Sequence, residues 1–234
     1  MEHGFTWFGS IPYLQDLPGQ LAAAIFVMLF ILISSVIAVQ RLAARQAKAQ
    51  GNILPEAKLS FLTVYDFGID KLYGLVKGLA GHDADKFIPL IATSFIYIFV
   101  SNLLGVIPGF LPPTSNLHNN AACALVIFVA THYFGFRAHG AGYVKHFMGP
   151  VIYLAPMMVI IEVISHCVRP MSLTLRLWGN INGDHAVLAQ FSDLVPILVP
   201  VIFLGFGIWV AFLQAFIFTM LSIVYLSMAV AHDH

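Results

Sequence analysis

Between residues 160 and 186, an otherwise apolar stretch carries Glu162, His166, Arg169, Arg176, Asn180, Asp184 and His185. Side chains of these types can hold, pass or block a proton. Carboxylates and imidazoles exchange protons near neutrality once burial and neighbours adjust them. A guanidinium keeps its charge at any working pH. At about 100° per residue, Glu162, Arg169, Arg176, Asn180 and Asp184 fall within roughly 120° of one another on a helix. With about 1.5 Å of rise per residue, Glu162 lies roughly 21 Å before Arg176 and Asp184 about 12 Å after it. One carboxylate therefore points toward each end of the run, with a fixed positive charge between them. Two acidic half-paths divided in this way would stop protons from leaking straight through. The plainer reading pairs Arg169 and Arg176 with Glu162 and Asp184 inside a bundle, or lets them snorkel. It suits Arg169, which precedes Pro170, better than Arg176. Asp184 is two turns from Arg176, too far for direct contact, so an unpaired central arginine suits a partner from another chain.

The elements that must position these residues are membrane helices. Of the 234 residues, 59% are hydrophobic and only 9% charged, against about 25% charged in soluble domains. Spans need about 20 apolar residues to cross roughly 30 Å of hydrocarbon. The sequence offers runs at 20–40, 87–108, 119–137, about 150–191 and about 196–230. Basic residues sort between their ends: Arg41, Arg45 and Lys48 follow the first run, Lys58 to Lys86 precede the second, and Arg137 and Lys145 follow the third. The loop from Gly109 to Asn120 has no Lys or Arg. That alternation predicts five crossings, with a periplasmic N-terminus (residues 1–19) and a cytoplasmic C-terminus. No basic n-region precedes the first run, so it does not resemble a signal peptide.

Residues 55–80 differ, because apolar positions at helical spacing alternate with Lys58, Asp66, Asp70, Lys71 and Lys77. This predicts an amphipathic helix on the membrane surface, with a soluble amphipathic hairpin as the other reading. The last two runs, together 150–230, exceed what a perpendicular span requires and predict long, tilted, antiparallel helices with Pro156, Pro170, Pro196 and Pro200 as kink or cap sites. In the final run Gly205, Gly207, Ala211, Gln214 and Ser222 fall near one face, where small residues allow close approach and a lone Gln needs a partner. Asn180 is its natural partner if the two helices are antiparallel. The fold class is thus an all-α integral membrane protein forming a single membrane domain. Net charge is zero, with no basic patch that would suit nucleic acid. Cys123 and Cys167 sit in apolar runs and read as buried free thiols. His132, His139 and His146 repeat every seven residues, but Gly135, Gly140 and Gly142 are expected to interrupt a helix there. They read as a helix end and loop rather than as haem ligands, and no metal or cofactor is expected.

Three segments carry a family resemblance. SLTLRLWGN at 172–180, QAFIFTMLSIVYLSMA at 214–229 and FIPLIATSFIYIFVSNLLGVIPG at 87–109 resemble subunit a of bacterial F-type ATP synthases. The likeness covers nearly the whole chain, and the Arg-x-x-Gly-Asn and Gln-Ala-Phe-Ile-Phe elements together are highly specific. It implies a stator proton channel in the cytoplasmic (inner) membrane. That channel would exchange protons with a rotating ring of c subunits beside b-type peripheral stalk subunits, in a complex whose nucleotide chemistry lies elsewhere. Arg176 matches the family's stator arginine. Asn180 and Gln214 match the periplasmic half-channel, Glu162 and Ser172 the cytoplasmic side, and Asn116 a polar position near the periplasmic entrance. The chain departs from the pattern at one point. Many bacterial relatives put Gly then Glu where Asp184 and His185 stand, and His where Gly207 stands. Gly207 would leave room for the Asp184 carboxylate. Either Asp184 or His185 could serve as relay, with Asp184 favoured because residue 185 lies about 180° from Arg176 on an ideal helix. A stand-alone channel or secondary transporter is the alternative class, although no inverted repeat marks one.

Overall fold

A computed structural model describes residues 7, 18–48, 61–107, 109–140, 142–143, 155–192 and 198–231. Among these residues the regular elements are all helical: α1 (Gly19–Lys48), α2 (Phe61–Ala80), α3 (Ala84–Val106), α4 (Leu117–His139), α5 (Ala155–Ser192) and α6 (Leu198–Val230), with short 3-10 turns before α3 and α4. Five apolar stretches are long enough to cross a membrane, namely 19–44, 65–106, 117–139, 157–191 and 201–230. The chain is an all-α integral membrane protein. At about 1.5 Å per residue, the 38 residues of α5 and 33 of α6 reach roughly 57 and 50 Å, well beyond a hydrocarbon core of about 30 Å.

Helices that already sit in lipid gain little from hydrophobic burial against each other, so close packing and shared polar groups must hold them. The α5–α6 hairpin shows how. Phe191 meets Phe203, Asn180 meets Gln214, and Arg169 meets Tyr225. Each step back of eleven residues on α5 is matched by eleven forward on α6, close to three turns, so one face of each helix is kept in contact. The two helices are antiparallel. Leu173, Leu177, Ala215 and Phe218 fill the seam together with Ile98 of α3 and Ile127 of α4. Some buried hydroxyls bond within their own helices, as in Ser222 to the Phe218 carbonyl (2.8 Å) and Thr131 to the Ile127 carbonyl (2.8 Å).

α2 is separated from α3 by the 3-10 turn Gly81–Asp83, where Gly81 takes φ 58°. Its Leu72 and Val76 are buried, and Val76 packs with Phe87 and Ile91 of α3 and Ile223 and Leu226 of α6. Phe67 and Ile69 stay exposed, with Lys71 over the Phe67 ring and Lys77 over the Tyr73 ring. Long cationic chains laid along aromatic rings suit an amphipathic helix at a water boundary. Lys58 lies outside the described residues, as do Lys145, His146 and Pro196.

Two sequence expectations need correction. Gly135 does not interrupt α4, which runs on to His139 and ends at Gly140, φ 55°. Gly135 instead makes room for a neighbour, since a Cβ there would stand 2.5 Å from Tyr143 Cε2. A glycine in a helix costs only about 1 kcal/mol, and the Tyr143 ring, 4% exposed, fills the space it leaves. Contrary to expectation, neither cysteine is fully buried: Cys123 is half-buried and Cys167 lies on the exposed surface of α5. α5 also continues through Pro170, where the Thr174 hydroxyl donates to the Pro170 carbonyl at 2.7 Å.

Candidate functional site

The polar stripe divides into three places along α5. At its middle, Arg176 is exposed, and its side chain has no hydrogen-bond or ion-pair partner among the described residues. Around it, Val168, Met171, Ser172 and Leu175 line an open, shallow depression on the same face. A permanent cation on an apolar surface is costly in a membrane unless something of opposite charge or water meets it. Arg169, about two turns earlier, is accounted for within the chain: its guanidinium lies 5.1 Å from the centre of the Tyr225 ring, a cation–π contact.

One turn past Arg176, Asn180 Nδ2 donates to Gln214 Oε1 at 2.6 Å. Gln214 is 2% exposed, so the bond satisfies an amide that would otherwise sit unpaired between helices. The pairing is the one the two lone amides suggested in sequence. Beyond it, a narrow cleft of about 60 Å³ lies between α3, α5 and α6. Asp184, His185, Gly207 and Asn102 all line it. The adjacent acid and imidazole therefore reach one cleft although they are neighbours in sequence, and Gly207 stands on the opposite wall.

Asn102 is the residue that sequence reasoning missed. It is 1% exposed; its Oδ1 accepts from the Thr114 hydroxyl at 2.7 Å, and its Nδ2 is buried with no hydrogen-bond partner among the described residues. Asn120 donates to the Thr114 carbonyl at 2.7 Å, and Asn182 reaches the Ser115 carbonyl at 3.3 Å. A lone Asn inside the apolar run 87–108 was the available signal, on the same reasoning that singled out Gln214. Asn116 is not among the residues lining the cleft. It caps α4, accepting from the His118 amide at 2.9 Å, which supplies one of the bonds a helix start lacks.

Gly207 is tested by size. A Cβ added there would meet only Val106, at 3.4 Å, so, for the proton channel that the family resemblance implies, Gly207→Ala is expected to leave conduction within about twofold of the parent. Gly207→Leu should fill the cleft beside Asp184 and cut conduction at least about tenfold. Passive proton flux in vesicles checks both. Equal behaviour of the two variants would detach the cleft from the conduction path.

At the other end of α5, Glu162 is 40% exposed at its side chain, and its Oε1 lies 3.3 Å from His166 Nδ1. Ser172 is half-buried between Glu162 and Arg176 in sequence, on the rim of the Arg176 depression. Among the described residues no three His, Cys, Asp or Glu side chains are grouped to hold a metal ion. The site thus comprises one exposed central cation, an acid–imidazole cleft to one side and a carboxylate to the other.

A protein-family model described as ATP synthase A chain matches residues 21–227. The chain is 44% identical to the ATP synthase subunit a of Citrifermentans bemidjiense over 208 residues, which covers 89% of this chain and 86% of the relative. Subunit a of Geotalea uraniireducens is 46% identical over 181 residues, 77% of this chain and 78% of that one. Subunit a of Bdellovibrio bacteriovorus is 43% identical over 192 residues, 82% and 84% of the two chains.

Proposed function

The chain belongs to the ATP synthase subunit a family, and from that premise we propose that it is the stator proton channel of an F-type ATP synthase. The observation that carries this reading is Arg176, a permanent cation exposed on a membrane helix with no partner among the described residues. Its partner is a carboxylate on a rotating ring of c subunits. Protons reach that carboxylate through two offset half-paths. The periplasmic one runs by Asp184, His185, Asn180 and Gln214, with Asn116 at its entrance. The cytoplasmic one runs by Glu162 and Ser172. The N-terminus is periplasmic, the C-terminus cytoplasmic, and α2 lies at the cytoplasmic surface. Peripheral stalk subunits of the b type hold the chain still, and nucleotide chemistry belongs to the rest of the complex.

The mechanism is electrostatic. A ring carboxylate arriving beside Arg176 is favoured in its ionised form by the opposite charge, so it releases its proton to one half-path. Moving on into lipid, it must be neutral to avoid the cost of a bare charge, so it takes a proton from the other. The guanidinium itself gives up no proton, and direct passage between the half-paths is blocked.

Cysteine cross-linking tests which face meets the ring. In a complex otherwise free of cysteine, Leu175→Cys is expected to form an oxidation-dependent bond with a cysteine placed next to the ring carboxylate. Val126→Cys, on an exposed part of α4, is expected to form none. Bonding from position 126 and not 175 would overturn the assignment of the ring-facing side.

A further inference from the structure

A second group of ionisable side chains lies apart from both Arg176 and the Asp184 cleft, toward the end of the bundle where α4 finishes and α5 begins. His132 of α4 and His166 of α5 stand with ring centroids 5.3 Å apart. His166 Nδ1 is 3.3 Å from Glu162 Oε1 and 2.9 Å from the Glu162 carbonyl oxygen. On the far side of the pair, the Tyr143 hydroxyl lies 3.3 Å from His132 Nδ1. Phe128 packs on His132 at 4.3 Å between ring centres. Arg169 and, from α6, Tyr225 line the same small pocket as both imidazoles. The His166 side chain is 12% exposed and that of Glu162 40%, so a sheltered ring backs a carboxylate that is open to its surroundings.

The charges facing the two rings decide how many protons they hold. Two imidazolium ions in contact beside a permanent guanidinium would repel strongly. The pair therefore holds at most one extra proton. Each ring offers two nitrogens, so one can accept a proton while the other releases one. Burial pushes the Tyr143 phenol above its ordinary value, against a smaller downward pull from Arg169. It remains a neutral hydroxyl and adds no charge to the cluster.

Resting on the reading that Glu162 lies on the cytoplasmic half-path, we propose that His166 and His132 form a one-proton station behind Glu162, on its Arg176 side, with the more open Glu162 carboxylate facing cytoplasmic water. In the outward step, neutral His166 takes a proton coming from the Arg176 crossing, directly or through neutral His132, and becomes an imidazolium. The imidazolium then gives that proton to the Glu162 carboxylate, which releases it to water, and both rings return to neutrality. The reverse order loads the station from water through Glu162.

The test uses vesicles holding the whole complex, with His166→Gln, His132→Gln and the double variant. Proton flux is followed while the pH on the cytoplasmic-facing side is stepped from about 5.5 to 8 around the ordinary imidazole value of about 6.5. The parent is expected to show an inflection in that range. His166→Gln should lower flux by about tenfold and remove the inflection, and the double variant should be no worse than His166→Gln alone. Stepping the pH on the opposite side should affect all forms alike. An inflection that survives in His166→Gln, with or without a uniform fall in flux, overturns the station and leaves the pair a packing role. If His166→Gln does not assemble, His166→Asn carries the same expectation. Arg176→Ala in parallel separates the two levels: retained synthesis there defeats the stator reading itself, whereas an unchanged inflection beside a normal Arg176 result defeats the station alone.

Discussion

Vesicles whose complex carries Arg176→Ala are expected to make essentially no ATP while their membrane sector passes protons passively at or above the parent rate. The reason lies in what the side chain does not do. Arg176 has no partner among the described residues, so its removal breaks no contact there and the subunit should still assemble. What disappears is the fixed charge between Asp184, about 12 Å along the helix on one side, and Glu162, roughly 21 Å on the other. On the proposed mechanism, a ring carboxylate would then no longer be favoured as an anion at the crossing point and could pass it still protonated. Proton movement would no longer require full turns of the ring. Each charge that slips across dissipates about 2.3 kcal/mol per 100 mV of membrane potential. A loss of synthesis of at least about 100-fold corresponds to roughly 2.7 kcal/mol of lost discrimination. Arg176→Lys should fail as well, because an ammonium is a more strongly hydrated point charge that can lose its proton on a desolvated surface. Normal synthesis in either variant would make the stripe structural. Loss of both synthesis and passive flux in an assembled complex would place Arg176 on the path instead of between its halves.

What sequence could and could not reveal follows from the range of each interaction. Helical spacing placed Arg176, Asn180 and Asp184 on one side of a single helix, because phase along one element is local information. The Asn180–Gln214 bond was legible too, since each is an isolated amide in an apolar span and a buried amide must find a partner. Asn102 obeys the same rule yet was passed over, because its partner Thr114 lies in the connection after α3 and not in another span. Gly135 misled for a different reason. Glycine weakens a helix locally, but here the absent side chain makes room for the buried Tyr143 ring, and tertiary packing outweighs the propensity. The His132–His166 contact depends on how α4 and α5 cross, which no periodicity within either helix encodes. Cys167 reads as buried because its neighbours are apolar, although in a membrane protein an apolar run is as suited to facing lipid as to facing the core.

Replacing Asp184 by Asn should reduce proton conduction at least about 100-fold, with assembly unaffected. The amide keeps the size and polarity of the carboxyl but cannot exchange a proton near neutrality. The cleft it lines with His185, Asn102 and Gly207 would stay open, so the loss would report titration and not access. His185→Gln should cost less, roughly tenfold, since residue 185 lies about 180° from Arg176 on an ideal helix whereas Asp184 shares its side. Synthesis and passive flux should fall together in Asp184→Asn, unlike Arg176→Ala, where they separate. That contrast distinguishes a residue on a path from one that divides two paths. The reverse ranking, with His185→Gln far worse than Asp184→Asn, would make the imidazole the relay and the carboxylate its orienting neighbour. If neither variant changed flux, the periplasmic half-path would have to bypass the α5–α6 cleft altogether.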